Sequence, residues 1–449
     1  MEGSAKSDRT AVSRVTAAGA APIMPILAIN FVATLGFSIV LPFLVYVVTR
    51  YGGNAFVYGV MGATYSFFQL IGAPVLGRWS DRIGRKRVLL LSQLGTAASW
   101  GLFLIALALP ATPLLHARSG MLGAFTLTVP LVALFTARAL DGITGGNASV
   151  ANAYLADITP DQDRTANFGR LAVSANLGFI VGPALAGLLG ATRWREAAPV
   201  AAAFVISAVA CLMIVVGLRE STPCSRTSIP ERRAAPRAMG QESRDCFEGT
   251  DRDRMSLARA ARIPHVPRLL LLDFLVFLAF NIFYVVFPIY VVQDLHWPLA
   301  TTGIFFGVLS LLMVLVQGPV LTWAGRRWSQ RTLVLAGSAI LAVSFPFFGA
   351  SRTATLYVGA TLLALGNGLM WPSLLALLSG AAGAEAQGAV QGLAGSASAM
   401  ASILGLLIGG LLFELLGANA FLLSAVITAV VCLSAFGIQR AAAPSHASA

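Results

Sequence analysis

The feature that most constrains this chain is a series of apolar runs, each about as long as a helix needs to be to cross a membrane. Two of them, 57–76 and 88–109, flank the stretch Gly77-Arg78-Trp79-Ser80-Asp81-Arg82-Ile83-Gly84-Arg85-Lys86-Arg87, which holds five basic residues and one carboxylate in eleven positions. A helix crosses about 30 Å of hydrocarbon in roughly 20 residues. The charged stretch is therefore expected to be a tight connection in water at one membrane face, with Gly77 and Gly84 permitting the turn. Further apolar runs fall at 22–48, 124–156, 168–190, 199–218, 268–292, 300–323, 332–350, 355–379, 390–416 and 420–439, giving twelve candidate spans. The run 124–156 is too long for one span, and Pro130 near its start puts the beginning of its membrane portion around 128.

Only 11% of the 449 residues are charged and 57% are hydrophobic, whereas a soluble domain carries about 25% charge. A soluble all-helical protein would need far more polar surface. Lipid admits only helices or closed barrels, and barrel strands are short and alternating, so the fold class expected is an all-α polytopic membrane protein. Cys211, Cys224, Cys246 and Cys432 form no CxxC, and His116, His265, His296 and His446 are scattered. Neither a disulfide framework nor a metal site is expected, and no cofactor is implied. Residues 1–21 are polar and Ala-rich and run into a stretch long enough to span, so no cleavable signal peptide is expected.

The net charge of +12 invites nucleic-acid binding, but its distribution argues for topology instead. With both termini inside, the interior segments collect Lys6, Arg9, Arg14, the five basic residues of 78–87, Arg164, Arg170, eleven arginines from Arg219 to Arg268, Arg326, Arg327, Arg331 and Arg440. The opposite side holds Arg50, Arg118, Arg193, Arg195 and Arg352. That asymmetry places both ends in the cytoplasm. The expected organisation is a tail over 1–21, a six-helix bundle over 22–218, a cytoplasmic linker over 219–267, a second six-helix bundle over 268–439 and a tail over 440–449. The linker is rich in Arg, Ser, Pro, Glu and Asp and reads as a flexible tether, with a short amphipathic helix near 254–263; a regulatory interaction site is the alternative.

The two bundles echo one another. Leu41-Pro42-Phe43-Leu44-Val45-Tyr46-Val47-Val48 in the first span is matched by Phe287-Pro288-Ile289-Tyr290-Val291-Val292 in the seventh, and Arg78-Trp79-Ser80-Asp81-Arg82 by Arg327-Trp328-Ser329-Gln330-Arg331. Duplicated six-helix units in one orientation are what two halves rocking about a central site require.

Four stretches together resemble the major facilitator superfamily of secondary transporters, in its twelve-helix drug:proton antiporter branch. They are the loop at 77–87, Arg138-Ala139-Leu140-Asp141-Gly142-Ile143-Thr144-Gly145-Gly146 in the fourth span, and Leu177-Gly178-Phe179-Ile180-Val181-Gly182-Pro183-Ala184-Leu185-Ala186-Gly187 in the fifth. The fourth place is Ala153-Tyr154-Leu155-Ala156-Asp157-Ile158-Thr159-Pro160, with Gln387-Gly388 and Gln391-Gly392, which is most similar to the tetracycline-efflux subgroup. Trp79 stands where a smaller aliphatic residue is usual. Ala33 aligns near an acid of the tetracycline exporters, and 300–323 and 332–350 contain no Asp, Glu or His, so another substrate or relocated coupling residues are expected.

The resemblance implies that Asp81 caps the start of helix eleven and that Arg85 bridges to Asp157. With Gly77 and Gly84 this would be a conformational latch formed when the cytoplasmic side closes; basic residues serving only as positive-inside anchors are the alternative. Arg138 and Asp141 lie one turn apart inside hydrocarbon depth, where a charge costs ~2.5–3.5 kcal/mol and an i,i+3 pair lowers the cost. The pair is either a fixed internal ion pair or a proton-sensitive switch. Asp141 with Arg138 leads the proton-coupling candidates, followed by Asp273 and Glu414. Gly178, Gly182, Pro183 and Gly187 allow close helix approach or a bend, as ordinary packing or as a gate. Amides and rings suited to amphiphilic ligands sit at Asn30, Phe31, Phe37, Tyr65, Phe68, Gln69, Asn176, Asn281, Tyr284, Gln317, Asn367 and Trp371.

The expected activity is proton-coupled efflux of an amphiphilic organic compound by a monomer in a plasma or bacterial inner membrane, with substrate, protons and lipid as partners and no enzyme chemistry. The alternatives are a uniporter or symporter importing a small metabolite, and a non-transporting receptor or scaffold.

Overall fold

The computed structural model describes residues 23–40, 43–159, 163–221, 259 and 261–437, the side chains of 148, 164–166, 172 and 382–389 excepted. Both tails, most of the linker with its expected amphipathic helix, Leu41-Pro42, Pro160 and the side chain of Gln387 lie outside the described residues. Nine stretches among those described are long and apolar enough to cross a membrane.

The first half begins with α1 (Met24–Ser38) and α2 (Leu44–Arg50), which divide the first apolar run. α3 (Ala55–Ile83) and α4 (Arg85–Ala108) follow with a single residue between them. The charged stretch is thus largely helical, and the tight turn expected across it is confined to Gly84. At 29 residues α3 is about 43 Å long, so its last basic turns outrun the hydrocarbon. Gly84 alone reverses the chain, at φ +106°, a conformation that a side chain would strain; Gly77 lies inside the helix.

An antiparallel hairpin of β1 (Pro113–Ser119) and β2 (Gly123–Thr128) comes next, paired from Pro113↔Thr128 to Ser119↔Gly123. It departs from the all-α expectation. The start of the run 124–156 is spent on a strand, and the helix begins at Val129 beside Pro130, close to the position expected. The run then breaks at Gly145-Gly146 into α5 (Val129–Thr144) and α6 (Asn147–Ile158). α7 (Arg164–Gly190) and α8 (Ala197–Gly217) complete this half.

The second half contains α9 (Val266–Gln293) and α10 (Leu299–Leu315), continued by a π-helical turn, Val316–Val320, and α11 (Leu321–Gly325). Pro319 explains the wider turn, because it has no N–H to donate and its ring crowds the carbonyl four residues back. α12 (Gln330–Ser344) ends in a 3-10 turn, Phe345–Gly349. The tenth and eleventh apolar runs belong to one continuous helical element, α13 (Thr353–Leu416), joined through an Ala-rich segment that favours helix. α14 (Ala420–Phe436) closes the half.

One apolar core joins the halves, including Val45, Val47 and Met61 from the first and Phe283, Phe287, Phe305, Phe348 and Phe421 from the second. At the end of the first half that bears the basic stretch, a separate core gathers Ile26, Leu76, Val88, Leu155, Ile214 and Leu218. Correspondingly, α3 is buried at Ala55, Val57 and Met61 but exposes Phe67, Ile71, Val75, Trp79 and Ile83. Contacts between the halves gather at the hairpin end. There a Cβ on Gly187 of α7 would lie 2.5 Å from the Gly303 carbonyl carbon of α10. The Tyr46 hydroxyl donates to the Trp297 carbonyl at 3.0 Å and shares a 2.5 Å hydrogen bond with Thr302.

Candidate functional site

In the first half, α5 carries Arg138 and Asp141 one helical turn apart, both almost fully buried. Arg138 Nη1 donates to Asp141 Oδ2 at 3.2 Å. The guanidinium carbon sits 4.5 Å from the ring centre of Tyr65 on α3 and 5.7 Å from that of Phe37 on α1. Those two rings are 4.8 Å apart. Gln69, one turn beyond Tyr65, donates to the Tyr65 hydroxyl at 2.9 Å and to the Gly145 carbonyl at 3.2 Å. From α4, the Thr96 and Ser99 hydroxyls reach the Asp141 carboxylate. The charge pair is therefore enclosed by cation–π contacts and hydroxyls, both favourable in a desolvated site, while Arg138 Nε is buried without a hydrogen-bond partner among the described residues.

Asn30 and Asn176 stand apart from this cluster. Asn30 ties α1 to α7 by donating to the Leu171 carbonyl at 3.0 Å and to Ser174 Oγ at 2.9 Å. Asn176 is exposed on α7. The motif on α7 serves two seams. Gly178 and Gly182 lie against α1, where Ser38 Oγ donates to the Gly178 carbonyl at 2.8 Å, and Gly187 faces the other half. Pro183 is buried between them.

The candidates of the second half form a distinct group. Asn281 of α9 donates to the Phe277 carbonyl at 2.8 Å and to Ser402 Oγ of α13 at 3.1 Å. Phe277 and Trp371 meet edge to face with centres 4.7 Å apart, and Tyr284 stacks on Phe306 at 6.5 Å. Asn367 reaches Met313 Sδ at 3.6 Å, and Gln317 rides on the π turn. Asp273 is 1% exposed and accepts from Ser398 Oγ at 2.8 Å.

At the basic end, Arg85 is pinned by Asp81 at 2.6 Å, Asp157 at 2.9 Å and Ser80 Oγ at 2.6 Å. These residues belong to α3, α4 and α6 of one half, so the ion pairs form without the other half. α13 runs unbroken through the region where an eleventh helix was expected to start, and in this conformation it offers no described N-terminus for Asp81 to cap. Glu220 was not anticipated from sequence. Its Oε1 accepts from the Lys86 N–H, in the first turn of α4, at 2.9 Å; a carboxylate closely following the sixth apolar run was the available signal.

Glu414, expected as a proton carrier, occupies a different kind of place. Its Oε1 accepts from the Ala55 N–H at 2.8 Å, and the Phe56 N–H bonds to it as well. Asn54 Oδ1 takes the Val57 N–H at 3.1 Å. Glu414 and Asn54 thus satisfy the first three N–H groups of α3, where the helix dipole favours a negative charge. The Cβ that Gly123 lacks would collide with the same carboxylate, so the hairpin folds against it.

The family model described as Major Facilitator Superfamily matches residues 26–353 and 269–448. The class D tetracycline resistance protein of Salmonella ordonez is 28% identical over 396 residues, covering 88% of this chain and 90% of the relative. Multidrug resistance protein 1 of Bacillus subtilis is 26% identical over 389 residues, covering 86% and 88%. Among solved structures, the human organic anion transporter MFSD10 (TETRAN) superposes with a TM-score of 0.61 at 21% identity, over 92% of this chain and 98% of that one. A point mutant of the nucleoside transporter NupG gives 0.66 at 11% identity over 92% and 98%. At those identities the structural likeness speaks for the fold.

Proposed function

The chain belongs to the Major Facilitator Superfamily, and we propose that this multi-pass membrane transporter couples proton entry to the efflux of amphiphilic organic compounds. The observation that carries the reading is the buried Arg138–Asp141 pair between the rings of Tyr65 and Phe37. The tetracycline and multidrug resistance relatives support a drug-like substrate. The halves 22–218 and 268–439 rock about the midplane, with both termini and the basic end facing the cytoplasm, and the contacts at the hairpin end support a state closed at that end of the molecule.

Asp141 takes the coupling proton. Once it is neutral, Arg138 keeps the two rings but loses its counter-charge. When the proton leaves, the carboxylate again competes for Arg138 or for a cationic group of the substrate, which links the two equilibria reciprocally. Arg85, Asp157 and Gly84 fix the corner between α3 and α4, so that Asp81, whose side chain is 55% exposed, is presented to the second half when this end closes. Glu414 acts on the opposite closure.

The test is a substrate panel on purified protein in liposomes under an imposed pH gradient. Substrate-driven proton flux is expected for the native chain, with loss of uphill transport in Asp141→Asn at unchanged insertion. Uphill export by Asp141→Asn would remove the coupling role from that residue. Absence of any substrate-dependent proton movement would point to a uniporter or a receptor.

A further inference from the structure

Asp273 lies on the seam where α9 packs against α13 and α14, at 1% exposure. One carboxylate oxygen, Oδ2, accepts from Ser398 at 2.8 Å, while the other, Oδ1, is buried with no hydrogen-bond partner among the described residues. Apart from Asp273 itself, α9 carries one charged residue, Arg268, whose guanidinium donates to the carbonyls of Gly437 and Ser434. From α12, Arg331 donates to the Phe436 carbonyl. α14 has no charged residue, and α13 has Glu385, whose side chain lies outside the description, and Glu414 at the far end. Arg262 and His265, ahead of α9, are exposed. Among the described residues no salt bridge reaches Asp273, in contrast to the paired Asp141.

The polar row continues along the same seam. Ser402, one turn from Ser398, donates to the Ser398 carbonyl at 2.9 Å and accepts from Asn281. Asn281 is two turns from Asp273 and only half-buried. An isolated ionised carboxylate in an apolar interior is costly enough that the group neutralises instead. An unmatched buried ionisable group inside a span marks a functional site more often than a structural one.

We propose that Asp273 is a second proton-binding site, held as the carboxylic acid in this conformation, with Ser398, Ser402 and Asn281 forming the polar seam that links it to the space between the halves. The proposal deepens the proton-coupling reading above and rests on it for its place in the cycle. The protonation itself is readable in the resting protein without any substrate.

Infrared difference spectroscopy of the full chain in lipid, followed through the carbonyl stretch of a protonated carboxylic acid, tests it. The expected result is an acid band near neutral pH that is lost in Asp273→Asn and persists in Asp141→Asn. Ser398→Ala, which removes the hydroxyl with little change of volume, should shift the band without abolishing it, and this keeps the test decisive if Asp273→Asn does not fold. An unchanged acid band in Asp273→Asn, or none responding to Ser398→Ala, overturns the proposal. So does a carboxylate that stays ionised and responds to sodium instead of protons. Failure of substrate-dependent proton flux with the acid band intact would count against the antiport reading and leave Asp273 as a proton site.

Discussion

Two helices of the first half begin with the same chemistry and differ in where the carboxylate comes from. At the basic end, Glu220, at the start of the linker just beyond α8, bonds to the Lys86 N–H near the start of α4. At the hairpin end, Glu414 of the second half bonds to the Ala55 N–H at the start of α3. Each carboxylate gains from the helix dipole and from donors with no partner inside the helix. Glu220 lies three residues beyond the end of α8, so its bond to α4 needs no contact with the second half. Glu414 belongs to the opposite half, so in the rocking cycle proposed above its bond exists only while the hairpin end is closed. The same interaction is structural in one place and conformational in the other.

That contrast can be broken by watching the separation of the halves at the hairpin end, for instance with spin labels on both. The largest change is expected from Gly187→Leu. Its side chain has no room against the Gly303 backbone, so the hairpin end should be wedged open and transport lost while the protein still inserts. Glu414→Ala should come next. Removing a charged hydrogen bond worth about 1.5–3 kcal/mol should shift the population toward the form open at the hairpin end by about 10- to 100-fold.

Tyr46→Phe removes a neutral hydroxyl that joins the halves. At about 0.5–1.5 kcal/mol its shift should be roughly 2- to 10-fold in the same direction. The smallest change is expected from Glu220→Ala, which should lower thermal stability by about 1 kcal/mol and leave the separation where it is. If Glu220→Ala opened the hairpin end, or Glu414→Ala only lowered stability, the distinction between the two caps would fail.

Much of the architecture was legible because it follows from local pattern. Apolar runs of spanning length become helices wherever lipid offers no other hydrogen-bond partner. Arg138 and Asp141 are three residues apart, which puts them on one face of any helix, whereas the contact of Arg138 with the rings of Tyr65 and Phe37 joins three helices and has no signature in spacing. The hairpin was not legible, since Pro113–Ser119 shows no clear alternation and the second strand is also tied to Gly52, distant in sequence, whose carbonyl accepts from the Thr126 N–H at 2.9 Å. The echo between the two motifs does not extend to their contacts. Tyr46 bonds across the halves, whereas its counterpart Tyr290 bonds within its own half to the Gly349 carbonyl at 3.3 Å.

The apolar runs, the asymmetry of the basic residues and the local pairing of Arg138 with Asp141 are written in the order of residues along the chain. All of these depend on composition or on neighbours within a few turns of helix. It took the packed structure to bring Glu414 to the start of α3 over a separation of 359 residues, to satisfy Arg85 inside one half, and to leave Asp273 without a salt bridge among the described residues. Those outcomes depend on how two helical bundles lie against each other, and no period or spacing along the chain encodes that placement.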